Sequence, residues 1–181
     1  MSRRLMFACL FLLVTVTADA QEKYRVYFGT YTGTESKGVY QCELNPKDGS
    51  LSAATLAGET ESPSFIAFHP SGTLLYAVNE KQATISALAI DAKTGTLTPL
   101  NSQPSQGGGP CHLVVDPTGK NVLAANYSGG SCVCLPIDAD GKLGAATSFQ
   151  QHVGPRTRGH SINVDKANKF ALCCDLGLDK V

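Results

Sequence analysis

The chain repeats itself. Pro63–Glu80 aligns with Pro110–Tyr127 at an offset of 47 residues (63 to 110), with apolar positions, a Pro-x-Gly turn and a terminal Asn in register. A third copy begins at Gly159, 49 residues beyond Pro110. Between the copies a second marker recurs: Asp48-Gly49-Ser50-Leu51, Thr94-Gly95-Thr96-Leu97 and Asp140-Gly141-Lys142-Leu143, whose glycines lie 46 residues apart both times. A period of this length belongs to arrays of one supersecondary unit, and few folds can use it.

Each unit reads as four short strands. In the best-marked unit they are Phe65–Phe68, Leu74–Val78, Thr84–Ile90 and Leu97–Asn101, rich in β-branched and aromatic residues. Pro70-Ser71-Gly72 and Lys93-Thr94-Gly95 supply turns, with Gly where φ must be positive. Helical periodicity is missing, which excludes helical solenoids, and a sandwich does not repeat its own sequence. The fold class expected is therefore all-β, a β-propeller of four-stranded blades. About three units fit after residue 20, whereas radial closure takes roughly 4–8 blades. The reading thus expects an arc, the N-terminal portion of a larger ring.

Residues 1–20 combine Arg3 and Arg4, an apolar run from Leu5 to Thr17 and an Ala18-Asp19-Ala20 cleavage signal. They read as a secretory signal peptide cut before Gln21, leaving 21–181 as the propeller domain, exported to the periplasm or outside the cell. No membrane association is expected after cleavage. The 15 Lys+Arg balance 15 Asp+Glu, so no electrostatic footprint for nucleic acid exists. Cys42, Cys111, Cys132, Cys134, Cys173 and Cys174 read as small strand hydrophobes rather than disulfides. None has C-x-x-C spacing, and His69, His112, His152 and His160 are scattered. No metal and no cofactor are expected.

In a four-stranded meander the start of strand one and the end of strand two share one end of the blade. Ser64, Asn79, Glu80, His112, Asn126, Tyr127, His160 and Asp175 therefore fall on one rim. Pro70–Thr73 and Asp91–Thr96 fall on the other. Polar residues gathered where inner strands begin point to a small-molecule site at the central opening. His69 and His152, on the far rim and in a loop, receive no role.

Several segments in this order resemble a known family: Tyr27-Phe28-Gly29-Thr30-Tyr31-Thr32, Val78-Asn79-Glu80, Gly109-Pro110-Cys111-His112, Ala125-Asn126-Tyr127-Ser128-Gly129-Gly130 and Asp175-Leu176-Gly177-Leu178-Asp179-Lys180. They are similar to the seven-bladed propeller lactonases, which include a bacterial 6-phosphogluconolactonase and a fungal 3-carboxy-cis,cis-muconate lactonising enzyme. The resemblance runs from about Tyr24 to Val181 and implies metal-free opening or closing of a lactone ring in the central channel. In the family a His in a P-H-x-H-S segment acts with Arg and Glu from later blades. Here Gly159-His160-Ser161 matches its end, and the first His of the pattern is absent.

By that resemblance His160 is the candidate catalytic base. Arg156 and Arg158 are candidate anchors for an anionic substrate, with His112 and Asn126 as further substrate contacts. The chemistry suits these types: an imidazole changes charge near neutrality, and an Arg can stabilise the oxygen that gains charge. The plainer reading makes His112 a joint between blades and Asn126 a turn former. The expected function is a hydrolase for a sugar or aldonic lactone such as 6-phosphogluconolactone, with catalysis not expected from this portion alone. The alternative is a non-catalytic exported propeller that binds a ligand or protein.

Overall fold

The computed structural model describes residues 23–181, so the signal peptide expected over residues 1–20 lies outside the described residues. The described residues hold thirteen strands and one short 3-10 turn, Glu80–Gln82. A three-stranded first sheet holds β1 (Tyr24–Phe28), β2 (Gly38–Leu44) and β3 (Thr55–Glu59). The second sheet holds β4 (Ile66–Phe68), β5 (Leu74–Asn79), β6 (Thr84–Ile90) and β7 (Leu97–Pro104). The third holds β8 (Pro110–Val115), β9 (Asn121–Asn126), β10 (Ser131–Pro136) and β11 (Ser148–Gln151). A two-stranded fourth pairs β12 (Gly159–Val164) with β13 (Ala171–Asp175). Every pairing is antiparallel and between sequence neighbours, the meander that the repeat predicts.

The turn chemistry is as read. Gly72 and Gly95 adopt φ of 73° and 75°, a left-handed backbone that glycine reaches without steric cost. Strand limits agree within a residue or so, except that β7 runs on to Pro104, beyond the expected Asn101.

The first sheet is a blade's strands two to four. Tyr27 on β1 donates its hydroxyl to the Gly95 carbonyl at 2.7 Å, and Tyr76 on β5 donates to the Gly141 carbonyl at 2.9 Å. Both glycines belong to the recurring turn marker, so each Tyr reaches from a second strand to the turn between strands three and four of the next sheet. β1 thus corresponds to β5, and its outer edge pairs with β2 alone.

Period-two alternation divides β5 between two cores. Leu75 and Ala77 join Val39, Ala57, Leu88 and Leu97 between the first and second sheets. Tyr76 and Val78 join Ile85, Leu113, Val122 and Val133 between the second and third. Each large apolar side chain buried this way contributes about 1.5–3 kcal/mol, so the cores between sheets hold the arc together.

A polar latch recurs at the ends of the second strands β5, β9 and β13. Asn79 Nδ2 donates to Thr60 Oγ1 at 2.6 Å and to the Glu61 carbonyl at 2.9 Å. Asn126 Nδ2 donates to the Ser105 carbonyl at 3.0 Å. In the fourth sheet the residue is Asp175, and the direction inverts: its carboxylate accepts from the Arg158 N–H at 2.8 Å and from His152 Nδ1 at 2.6 Å. All three tie the second strand to the linker that enters the sheet.

Candidate functional site

The starts of β8 and β12 lie opposite the ends of β9 and β13, with Pro110 paired to Asn126 and Gly159 to Asp175. That register gathers the rim side chains. On the second sheet, Ser64 Oγ donates to Glu80 Oε2 at 2.7 Å. The Glu80 carboxylate, as hydrogen-bond partner, raises the Tyr31 phenol above its ordinary range. Burial, then Glu80, pushes the Cys111 thiol up to about 11, so this lip carries a negative field and a protonated thiol.

The other lip is basic. His160, second residue of β12 and exposed, meets the Tyr127 ring edge to face at 5.5 Å. The Arg158 guanidinium lies over Tyr127, 5.5 Å from the ring centroid, and donates from Nη1 to the Thr157 carbonyl at 2.8 Å. A cation over an aromatic face is held by the ring quadrupole, and Arg158 and His160 both contact the Tyr127 ring. Gly159 permits this approach: a Cβ there would stand 2.6 Å from the Ser131 carbonyl. His160 also borders an open cleft of about 340 Å³ with Ser161, Cys174, Leu176, Asp179 and Lys180.

His112 serves as a joint between sheets. Its Nδ1 accepts the Ile162 N–H at 3.3 Å, and its ring packs against Phe65 with centroids 4.3 Å apart. Burial, with the charge of His160, lowers its pKa, and because Nδ1 accepts, the proton of the neutral ring sits on Nε2. Arg156 is exposed and makes no side-chain hydrogen bond or ion pair among the described residues.

Asn126 requires correction as a substrate contact. Its relative exposure is 0%, and its Nδ2 donates to the Ser105 carbonyl and to Ser131 Oγ at 3.1 Å, while Oδ1 is buried without a partner among the described residues. As the last residue of β9 it faces the linker between sheets, where no ligand reaches it. Glu80, Tyr31 and Tyr127 are the rim residues that the site assignment passed over. The Val78-Asn79-Glu80 and Asn126-Tyr127 strand ends, and the Tyr27–Thr32 segment for Tyr31, were their signal in the sequence.

The family described as "Lactonase, 7-bladed beta-propeller" matches residues 25–181. The chain belongs to this lactonase family. It is 34% identical over 168 residues to a Bacillus subtilis 6-phosphogluconolactonase, covering 88% of this chain and 48% of that protein. A solved Bacteroides fragilis structure superposes with a TM-score of 0.79 at 35% identity, over 89% of this chain and 47% of its own. The Pseudomonas aeruginosa periplasmic gluconolactonase also gives 0.79, at 26% identity over 86% of this chain and 48% of that one. The chain spans about half the length of the curated relatives it matches.

One cluster in this lactonase-family chain lies away from the inner strands. Cys132 on β10, Cys173 on β13 and His152 after β11 bring one donor atom each within 4.8 Å of one another. Hydrogen bonding to Cys173, helped by His152, outweighs burial and holds the Cys132 thiol down at about 6. The same hydrogen bond, with burial, raises the Cys173 thiol. Cys132 and Cys173 lie half-buried in strands, as the sequence reading has them, and His152, which received no role there, stands next to them. All six described cysteines are free thiols.

Proposed function

We propose that the rim of this chain forms part of a site at which water opens a small lactone, with sugar or aldonic lactones such as 6-phosphogluconolactone as the substrate class. The observation that carries the reading is that an exposed imidazole, His160, and a guanidinium, Arg158, both contact the Tyr127 ring on this rim. Family membership and the two lactonases named above support it.

In this mechanism His160 takes a proton from water as the water oxygen bonds to the lactone carbonyl carbon. Arg158 stabilises the negative charge that builds on the carbonyl oxygen. The ring C–O bond then breaks, and the proton held by His160 passes to the leaving alkoxide. Arg156, free of protein partners among the described residues, is placed to meet a substrate phosphate. Ser64, Glu80 and Tyr31 offer a hydroxyl, a carboxylate and a phenol for sugar hydroxyls.

The test is lactone opening by a complete propeller that carries this portion, followed by acid release at constant pH. His160→Ala lowers kcat/KM by about 10²–10⁴, the usual share of a positioned base. Arg158→Ala costs at least about tenfold, in keeping with roughly 1.5–3 kcal/mol for a hydrogen bond to a charged group. Wild-type rates in the His160 variant would remove the mechanism. Lactone binding without turnover would favour the non-catalytic propeller instead. Residues 1–20 are read as the export signal; protein recovered outside the cytoplasm should then begin at Gln21 on N-terminal sequencing.

A further inference from the structure

Three successive interfaces between sheets can be laid over one another, because the linker makes the same backbone contact each time. Thr60 N–H donates to the Lys37 carbonyl at 3.3 Å, Ser105 N–H to Ala83 at 2.9 Å and His152 N–H to Gly130 at 2.9 Å. In each case the acceptor directly precedes the third strand of a blade. The position after the start of that third strand is Val39, Ile85 and Cys132 in turn. Two residues before the polar latch that ends the facing second strand stand Ala77, Ala124 and Cys173.

The first two interfaces fill these places with hydrocarbon. Val39 and Ala77 share one buried cluster, and Ile85 and Ala124 share the next. At the third interface both apolar positions become thiols, and the linker position, Thr60 and then Ser105, becomes His152. Packing does not ask for this, since the same backbone frame is stable with Ile, Ser and Ala. Three replacements at one interface all supply metal-ligating atoms, and those atoms converge within 4.8 Å.

The histidine is also oriented as a ligand. Its Nδ1 donates to Asp175 Oδ2 at 2.6 Å, which leaves Nε2 for the thiols. Asp175 is 4% exposed, and its other oxygen accepts the N–H groups of Arg158, Gly177 and Leu178 at 2.8–3.0 Å. A carboxylate fixed in this way sets tautomer and ring angle and raises ligand basicity, the usual outer-shell arrangement around a metal-bound imidazole. Tetrahedral Zn²⁺, with Zn–S near 2.3 Å and Zn–N near 2.0–2.1 Å, sets neighbouring donors about 3.5–3.8 Å apart, so a small closure of the trio suffices.

We propose that Cys132, Cys173 and the Nε2 of His152 form a binding site for a divalent cation of the zinc class, joining the third and fourth sheets, with Asp175 as the positioning residue and the fourth coordination place left to water. Both thiols bind as thiolates, so loading releases protons to solvent. A Cys132–Cys173 disulfide would use the two sulfurs but give the oriented imidazole no part.

The test uses the full chain, reduced, stripped with chelator and titrated with Co²⁺, then Zn²⁺ in competition. The expected result is one Co²⁺ per chain, with the d–d bands of a tetrahedral site and a thiolate-to-metal charge-transfer band of two Co–S bonds that Zn²⁺ abolishes. Cys132→Ser and Cys173→Ser each remove the signal, whereas Cys134→Ser and Cys174→Ser keep it. Asp175→Asn weakens affinity about 10–100-fold. The double variant Cys132→Ile/Cys173→Ala copies the Ile85 and Ala124 pair; it should fold, bind no metal and lack the Zn²⁺-dependent rise in melting temperature expected of the wild type. No tetrahedral signal, a signal that survives Cys132→Ser, or a Cys132–Cys173 disulfide that persists in place of metal binding would overturn the proposal.

Discussion

β5 and β13 occupy the same place in their blades and meet opposite fates. β5 is buried from Leu75 to Asn79, while β13 is exposed over Ala171 and Leu172. Counting back from the latch residue, Tyr76 matches Leu172; the first is 0% exposed and the second 51%. Both strands carry apolar side chains on a pleated ribbon, so local preference does not separate them. What differs is the sheet packed on either side: β5 lies between two, and β13 faces one among the described residues. Burial in this architecture is conferred by neighbours, one sheet at a time.

The sharpest way to break that comparison is to truncate both residues. Tyr76→Ala should cost about 3–5 kcal/mol, as a deleted core aromatic does. Leu172→Ala, at an exposed position, should stay within about 0.5 kcal/mol. Denaturant midpoints of the two variants measure the difference. Equal losses would mean that β13 is covered in solution.

A middle-sized effect separates the two ends of the third interface by pH. Burial opposes ionisation of Asp175, yet the Arg158 N–H and His152 hold its carboxyl below the ordinary 3.8. Burial likewise opposes the charge on His152, yet Asp175 and Cys132 raise it above 6.5. The Asp175 contribution is present above pH 3.8 and is lost as pH falls through its lower folded value. The His152 contribution is complete below pH 6.5 and fades as pH rises through its higher folded value. In chelator, Asp175→Ala should therefore cost most between roughly pH 4 and 6.5, by about 1–3 kcal/mol for the stranded donors. Asn126→Ala, which removes an uncharged latch, should show a flat profile over the same range.

The smallest effect concerns the hydroxyl latches. Tyr76→Phe strands the Gly141 carbonyl in a buried place and should cost about 1 kcal/mol. Tyr27→Phe, partly open to water, should cost only a few tenths. Melting temperatures of the two variants rank them.

The blades were legible because their turns are written in Gly and Pro, whose backbone limits do not depend on context. The rim was legible because a meander carries strand starts and ends to known places. β1 to β3 were harder to read: Tyr24–Phe28 shares no punctuation with Leu74–Asn79, and the match rests on the Asp48-Gly49 marker between β2 and β3 and on the Tyr27 hydroxyl bonded to Gly95. Asn126 shows a different limit, since a strand-end amide reads alike whether it meets a ligand or a linker. The thiol–imidazole trio escaped notice because its members come from strands and a linker about twenty residues apart. Aligning Cys132 with Ile85, His152 with Ser105 and Cys173 with Ala124 was the signal that could have found it.

The change from Asn126 to Asp175 has a consequence for how freely such units can be exchanged. An amide lends protons to the incoming segment, whereas a carboxylate borrows them, so linker and strand end must change together. Moving the segment around Ser105 into the fourth sheet would set a carbonyl dipole against a fixed negative charge. Sheets built to one plan are thus not interchangeable parts: each carries a polarity that only its own upstream connection can answer.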